Sequence, residues 1–192
     1  MKRPNNWENT QAYGDFEPLE LGGHICKIMK VEETQSRNGK DMIMIFLDIA
    51  EGEQKGYYTE QYRNDNRPDK KWGCIVYQLL EDNYGNTNRG FKTFINAVEK
   101  SNSGFDQNAI WDEHFCEYFK NKLIGGVFGR EQYENSKGDL KWSTKCVQFR
   151  DIETIRNGVP IPADKYLDTP NSQVTTKNEF TDMPLDDDLP FN

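Results

Sequence analysis

Residues 22–49, GGHICKIMKVEETQSRNGKDMIMIFLDI, place two apolar runs on either side of Asn38-Gly39. Asn-Gly is a strong hairpin signal because both residues tolerate the positive φ that tight turns need. The two runs should therefore return on each other as antiparallel strands. In the second run Ile43, Ile45, Leu47 and Ile49 alternate with Met42, Met44, Phe46 and Asp48. A period of two marks a strand, and the isoleucine-leucine set belongs in the core. The first run slips: Cys26 and Ile28 share a face, and Val31 then falls out of phase. One extra residue, a β-bulge, restores the register.

The rest of the chain is read around this hairpin. EGEQKG turns the backbone, and YYTEQYRN (57–64) predicts a third strand with aromatic residues on both faces. The charged loop NDNRPDKKWG follows, broken by Pro68. From Ile75 to about Lys100 the pattern reads as helix, clearest where Phe91, Phe94, Ile95 and Val98 recur at i, i+3, i+4 and i+7. SNSGFDQNAI reads as loop and IWDEHFCEYF as a short helix. KLIGGVFGREQYE predicts a fourth strand, whose Gly125-Gly126 implies a sharp bend or a close backbone approach. NSKGD is a second hairpin turn, and LKWSTKCVQFRDIETI supplies a fifth strand.

Three strands, a helix and two strands predict a mainly β fold: a five-stranded OB-fold, a Greek-key barrel with its helix between strands three and four. The expected organisation is an N-terminal arm over 1–21 with Trp7, Tyr13 and Phe16 as docking points. The OB-fold nucleic-acid-binding domain covers 22–156, a flexible linker 157–182, and an acidic tip 183–192. Prolines at 160, 162 and 170 among Ser, Thr and Asn mark the linker.

Charge separates the tail from the body. The formal net charge is −8, and Asp168, Glu179, Asp182, Asp186, Asp187 and Asp188 face only Lys177 after residue 167. The body is close to balanced, so overall acidity does not exclude a polyanionic partner. Cys26, Cys74, Cys116 and Cys146 are scattered without a C-x-x-C pair and read as reduced, partly buried small hydrophobes. Residues 1–18 lack the apolar core of a secretion signal, and no run approaches the roughly 18 apolar residues of a membrane span. The expectation is a cytoplasmic protein with no membrane partner.

Aromatic and basic residues interleave around the proposed barrel. The first hairpin offers Arg37 and Lys40, and the outer side of the second strand offers Met44 and Phe46. The third strand and its exit offer Tyr58, Tyr62, Arg63, Lys71 and Trp72. The last hairpin offers Arg130, Tyr133, Trp142 and Lys145. Rings that stack bases at about 1–3 kcal/mol each, with cations along the phosphates, are what sequence-tolerant single-strand binding requires. The same rings also suit a strand surface, where aromatic side chains pack well.

Other chemistry finds little footing. His24-x-Cys26 and His114-x-Cys116 match no zinc spacing, so no metal or other cofactor is expected. No nucleophile motif or phosphate-cradling loop occurs, and the acids are scattered. The expectation is a protein that is not an enzyme.

The C-terminal DMPLDDDLPFN sets Asp186, Asp187 and Asp188 beside Leu189, Pro190 and Phe191. Such a peptide suits a small apolar pocket with a basic rim. DDDLPF resembles the acidic tip of bacterial single-stranded-DNA-binding proteins. That resemblance implies recruitment of replication, recombination and repair enzymes. The body, with GGHICKIMKVEETQSRNGKDMIMIFLDIAEGEQKGYY, WGCIVYQL and KLIGGVFGREQYENSKGDLKWSTK, resembles single-stranded-DNA-binding proteins of phages and prophages of Gram-positive bacteria. The resemblance implies an OB-fold, single-stranded DNA as partner and a possible homo-oligomer. One departure stands out, since the bacterial tip ends on its Phe whereas Asn192 follows Phe191 here. The alternative is an OB-fold protein-interaction module, a recombination mediator or host-takeover factor, without intrinsic DNA binding.

Overall fold

A computed structural model describes residues 2–5, 7–9 and 17–167. Strands β1 (Gly22–Gln35) and β2 (Asp41–Ile49) form the expected hairpin. Only Gly39 takes positive φ, at 75°. The loop is thus the three-residue kind in which a turn closed by Gly39 N–H to Ser36 C=O ends on a left-handed glycine. Ser36 Oγ also accepts from the Lys40 amide at 3.0 Å. The register shifts between Ile28↔Leu47 and Lys30↔Phe46, so Met29 is the extra residue. This bulge lets Cys26, Ile28 and Val31 all face the core opposite Ile49, Leu47 and Ile45.

The next stretch departs from expectation. Tyr57–Asn64 is a helix, α1, rather than a strand. Gly56 enters it with φ 78°, and the buried Asp48 of β2 accepts from Tyr58 N–H at 2.9 Å and from the Thr59 hydroxyl. A carboxylate on the first-turn amides overrides the strand preference of the tyrosines. The third strand is instead β3 (Ile75–Leu79), inside the stretch that read as helix. Five apolar-rich residues suit either state, and pairing of Met42–Phe46 with Leu79–Ile75 decides it. Helix α2 (Arg89–Ser101) begins later, capped by Asn88, whose Oδ1 accepts from the Gly90 amide at 2.8 Å.

A single 3-10 turn at Phe115–Phe119 stands where a short helix was expected. Strands β4 (Leu123–Glu134) and β5 (Leu140–Arg150) follow, joined by a loop in which Gly138 repeats the role of Gly39 at φ 83°. The tail end of the predicted fifth strand is α3 (Ile152–Arg156), started by the Asp151 side chain accepting from the Thr154 amide at 2.9 Å.

All strand pairs are antiparallel, in the order β3-β2-β1-β4-β5. No ladder joins β3 to β5 among the described residues, so the sheet is open where the expected barrel would close. Helix α2 lies across that gap, touching β3, β4 and β5. Its Phe91, Phe94, Ile95 and Val98 bury against the inner residues of β1, β2 and β4 together with Phe115 and Phe119.

Gly125 and Gly126 mark close approach rather than a bend. A Cβ on Gly125 would meet the Arg150 carbonyl at 2.8 Å, and one on Gly126 would meet the Cys26 and Cys146 sulfurs at 3.1 Å. Past α3 the chain does not become a structureless linker at once. Val159 sits over Gly23 and Pro162 over Gly129. Lys165 then pairs in parallel with Glu131, exchanging backbone hydrogen bonds with Arg130 and Gln132 at 2.9 and 2.8 Å. This strap, 159–167, caps the edge of β4 beyond its pairing with β1. Residues 168–192, with the acidic tip, lie outside the described residues, as do Tyr13 and Phe16. Among the described residues no helix is long and apolar enough to cross a membrane.

Candidate nucleic-acid interface

Pairing sorts the predicted residues onto faces. On β3, β2 and β1 the outer set, opposite the α2 core, is Ile75 and Tyr77, then Met44 and Phe46, then Lys30 and Glu32. Lys30 Nζ lies 4.2 Å from the centre of the Phe46 ring and 2.7 Å from Glu32 Oε1. Phe46 is only 8% exposed, so it is not the open platform expected. A base reaches that ring only if the Lys30 side chain swings aside. Met44 and Tyr77 stand opposite each other, both half-buried. Arg37 and Lys40 lie at one end of this face, in the β1–β2 turn. Lys40 Nζ bonds Asn83 in the loop that carries Tyr84, exposed to 89%.

The residues after β2 serve mostly structure. Tyr58 is 4% exposed and packs parallel to Phe128, ring centres 6.5 Å apart, which removes it as a stacking platform. Trp72 is half-buried against the core and donates its indole N–H to the Leu47 carbonyl at 2.7 Å. That bond ties the loop to β2. Tyr62 is covered by Trp72 at 5.6 Å and by Lys70 Nζ at 4.3 Å. Arg63 and Lys71 are exposed beside them.

The β4–β5 hairpin forms a second site whose members divide between two faces. Arg130 opposes Thr144 and Gln132 opposes Trp142, continuing the core face past Phe128. Arg130 lies over the Trp142 indole at 5.2 Å. Glu131, Tyr133, Lys141 and Lys145 occupy the other face, Tyr133 being 44% exposed. The predicted quartet of Arg130, Tyr133, Trp142 and Lys145 is therefore two pairs, back to back.

Neither cation of the quartet is uncommitted. Arg130 Nε donates to Asp164 Oδ1 at 3.0 Å, which holds the Asp164 carboxyl below the usual carboxylate range. Lys145 and Lys165 both reach Glu131, at 2.6 and 2.7 Å. Partial burial pushes the Glu131 carboxyl up, and the two ammonium groups outweigh it, leaving its pKa lowered. The Tyr166 ring meets Trp142 edge-on at 5.2 Å. Asp164 and Tyr166 of the strap thus occupy the Arg130–Trp142 pair, one by charge and the other by an edge-on ring contact.

The histidine-cysteine pairs point elsewhere. His24 packs edge-on against Phe128 and its Nε2 is 2.9 Å from the Glu20 carbonyl. Burial pushes the Cys26 and Cys74 thiols up, Cys74 to about 12, so both stay protonated in the core. His114 sits on the surface between Glu113 and Glu117.

Lys30, Tyr77 and the strap were not picked out from the sequence. Lys30 joins the Phe46 face only because of the bulge at Met29, and Tyr77 was hidden inside a stretch read as helix. The Pro-rich strap carries no periodic signal. The chain matches no protein-family model and no curated protein.

Proposed function

We propose that this chain is a sequence-tolerant single-stranded-DNA-binding protein of phage or prophage replication and recombination, built on an OB-type barrel. In this reading its acidic C-terminal peptide recruits partner enzymes. The observation that carries it is the division of faces. Helix α2 buries the inner face of the sheet, while the outer face of β1–β3 keeps Lys30, Met44 and Tyr77 together, with the Phe46 ring covered beneath Lys30. A turn with Arg37 and Lys40 lies at one end of that face, and the β4–β5 hairpin with Trp142 and Tyr133 projects past the other end of β1. Rings between cations give stacking without base-edge readout, which favours a single strand of any sequence.

Two features support the barrel. The strand order is that of a five-stranded barrel cut between β3 and β5, and α2 covers the cut. Cys74, one residue before β3, is buried in the same core that Cys146 of β5 packs against.

The test is an anisotropy titration of labelled oligo-dT and of its duplex at several salt concentrations. Single-strand preference with a steep negative salt slope is expected. Tyr77→Ala and Trp142→Ala should each weaken binding about tenfold, the loss of one stacked base. Removing residues 183–192 should leave the fold intact and tighten DNA binding, because a tethered polyanion competes with the strand. No salt-dependent binding would overturn this reading in favour of a protein-interaction module. That second reading draws on one observation, the pairing of Lys30, Arg130 and Lys145 with Glu32, Asp164 and Glu131.

A further inference from the structure

A groove of about 520 Å³ opens on the side of the molecule away from the outer face of β1–β3. Its floor is Ile43, Leu80, Phe91 and Phe115, drawn from β2, the exit of β3, α2 and the 3-10 turn. Its wall is Trp111. The indole stacks on Phe115, centres 5.4 Å apart and planes 23° from parallel, and meets Phe91 at 6.2 Å. It is nevertheless 60% exposed. One face of the ring is fixed by its neighbours and the rest is presented to the groove. A large rigid aromatic held open in this way is the anchor type that dominates interface energetics.

Charge selects the occupant. Three carboxylates, Glu33, Glu81 and Asp112, line the groove against one ammonium, Lys92, whose Nζ donates to Gln107 at 2.7 Å. Asp112 is held in place by the Tyr118 hydroxyl and the His114 amide, both at 2.8 Å. Glu113 and Glu117 extend the negative rim, 88% and 80% exposed. The field is felt beneath: burial and then the Glu33 charge push the Cys116 thiol up. Lys92 also lines a second, more open hollow of about 510 Å³ alongside, where it joins Arg89, Thr87 and Thr93. A nucleic-acid backbone would meet repulsion in the Trp111 groove, and so would Asp186–Asp188 of this chain's own tip.

We infer that the Trp111 groove docks a basic peptide segment of a partner protein, an apolar side chain filling the groove and flanking Lys or Arg meeting Glu33, Glu81 and Asp112. The aromatic face adds cation–π attraction for the same charges. The volume suits one or two large apolar side chains. Because the groove lies on the inner side of the sheet, it can be filled while the outer face is engaged. The inference does not depend on what the outer face binds.

The experiment uses the full-length chain and two labelled dodecapeptides of identical Trp and Leu spacing, one with Lys and Arg between them, the other with Glu and Asp. The basic peptide should bind at least about tenfold more tightly than the acidic one. Trp111→Ala and, separately, Glu81→Lys should each weaken that binding about tenfold, with circular dichroism unchanged and oligo-dT titrations unaffected. If both variants bind the basic peptide like the wild type, the peptide is adsorbing to the acidic tail, and the inference is overturned. Equal binding of the two peptides overturns it as well. So does displacement of the basic peptide by oligo-dT from the wild type but not from Trp111→Ala, which would make the groove a nucleic-acid site.

Discussion

The two hairpins are built on the same loop yet hold their side chains in opposite regimes. In the β1–β2 hairpin both faces near the middle are enclosed: Ile43, Ile45 and Leu47 have no exposure, and Phe46 on the other side is covered by Lys30. The β4–β5 hairpin leaves the core after Phe128, and from Arg130 outward its side chains meet one another and the strap 159–167. A ring in the first hairpin is therefore a packing element, and a ring in the second is a surface. Residue type alone does not tell the two apart; distance from α2 does.

The sharpest test of that boundary is a pair of aromatic truncations on one face of one ribbon. Phe128→Ala should cost about 3–5 kcal/mol in denaturant unfolding, because it empties a fully buried site between Tyr58 and His24. Trp142→Ala, two residue pairs further out, should cost under about 1 kcal/mol. Equal losses would mean that the core continues through the ribbon.

Asp48→Ala comes next in size. It strips the first turn of α1 of its acceptor and leaves the Tyr58 and Ile49 amides unpaired inside the fold. A loss of about 2–3 kcal/mol is expected, with lower helix content by circular dichroism. An unchanged helix signal would show that α1 does not need β2 to form.

The smallest effect concerns the strap and pH. Asp164 and Glu131 have carboxyls held below their ordinary values by Arg130 and by Lys145 and Lys165. A depressed carboxylate stabilises the folded state above its unfolded pKa and loses that contribution as pH falls through the depressed value. The strap should therefore hold at neutral pH and loosen below about pH 4, while the sheet persists. The indole N–H resonance of Trp142, identified by its loss in Trp142→Phe, reads this directly as Tyr166 moves away. A resonance that shifts only with global unfolding would make the strap part of the core. Asp164→Asn should reproduce the acid shift at neutral pH.

Much of the sheet could be read from local pattern. The turn at Asn38-Gly39, the alternation in Ile43–Ile49 and the bulge at Met29 are consequences of side-chain period and glycine stereochemistry, and these act within a few residues. The same holds for the second hairpin and for the apolar stripe Phe91–Val98 of α2, although the helix start at its Asn88 cap was not read. Tyr57–Asn64 and Ile75–Leu79 exchanged states relative to expectation. In both, the deciding partner is β2, nine or more residues away in sequence: Asp48 for the helix, Met42–Phe46 for the strand. Local propensity was weak in each, so tertiary pairing won.

The candidate interface divides along the same line. Sequence supplied the inventory of rings and cations, and with it the expectation of stacking and phosphate contact. Only the fold put Tyr58 and Trp72 into the structural framework, set Arg130 and Tyr133 on opposite faces, brought Lys30 over Phe46, and laid Asp164 and Tyr166 against Arg130 and Trp142. The physical reason is that strand register, bulge position and helix placement determine which side of a sheet a residue faces. Those are set by packing across the whole domain, whereas turns, caps and alternation are set by neighbours in the chain.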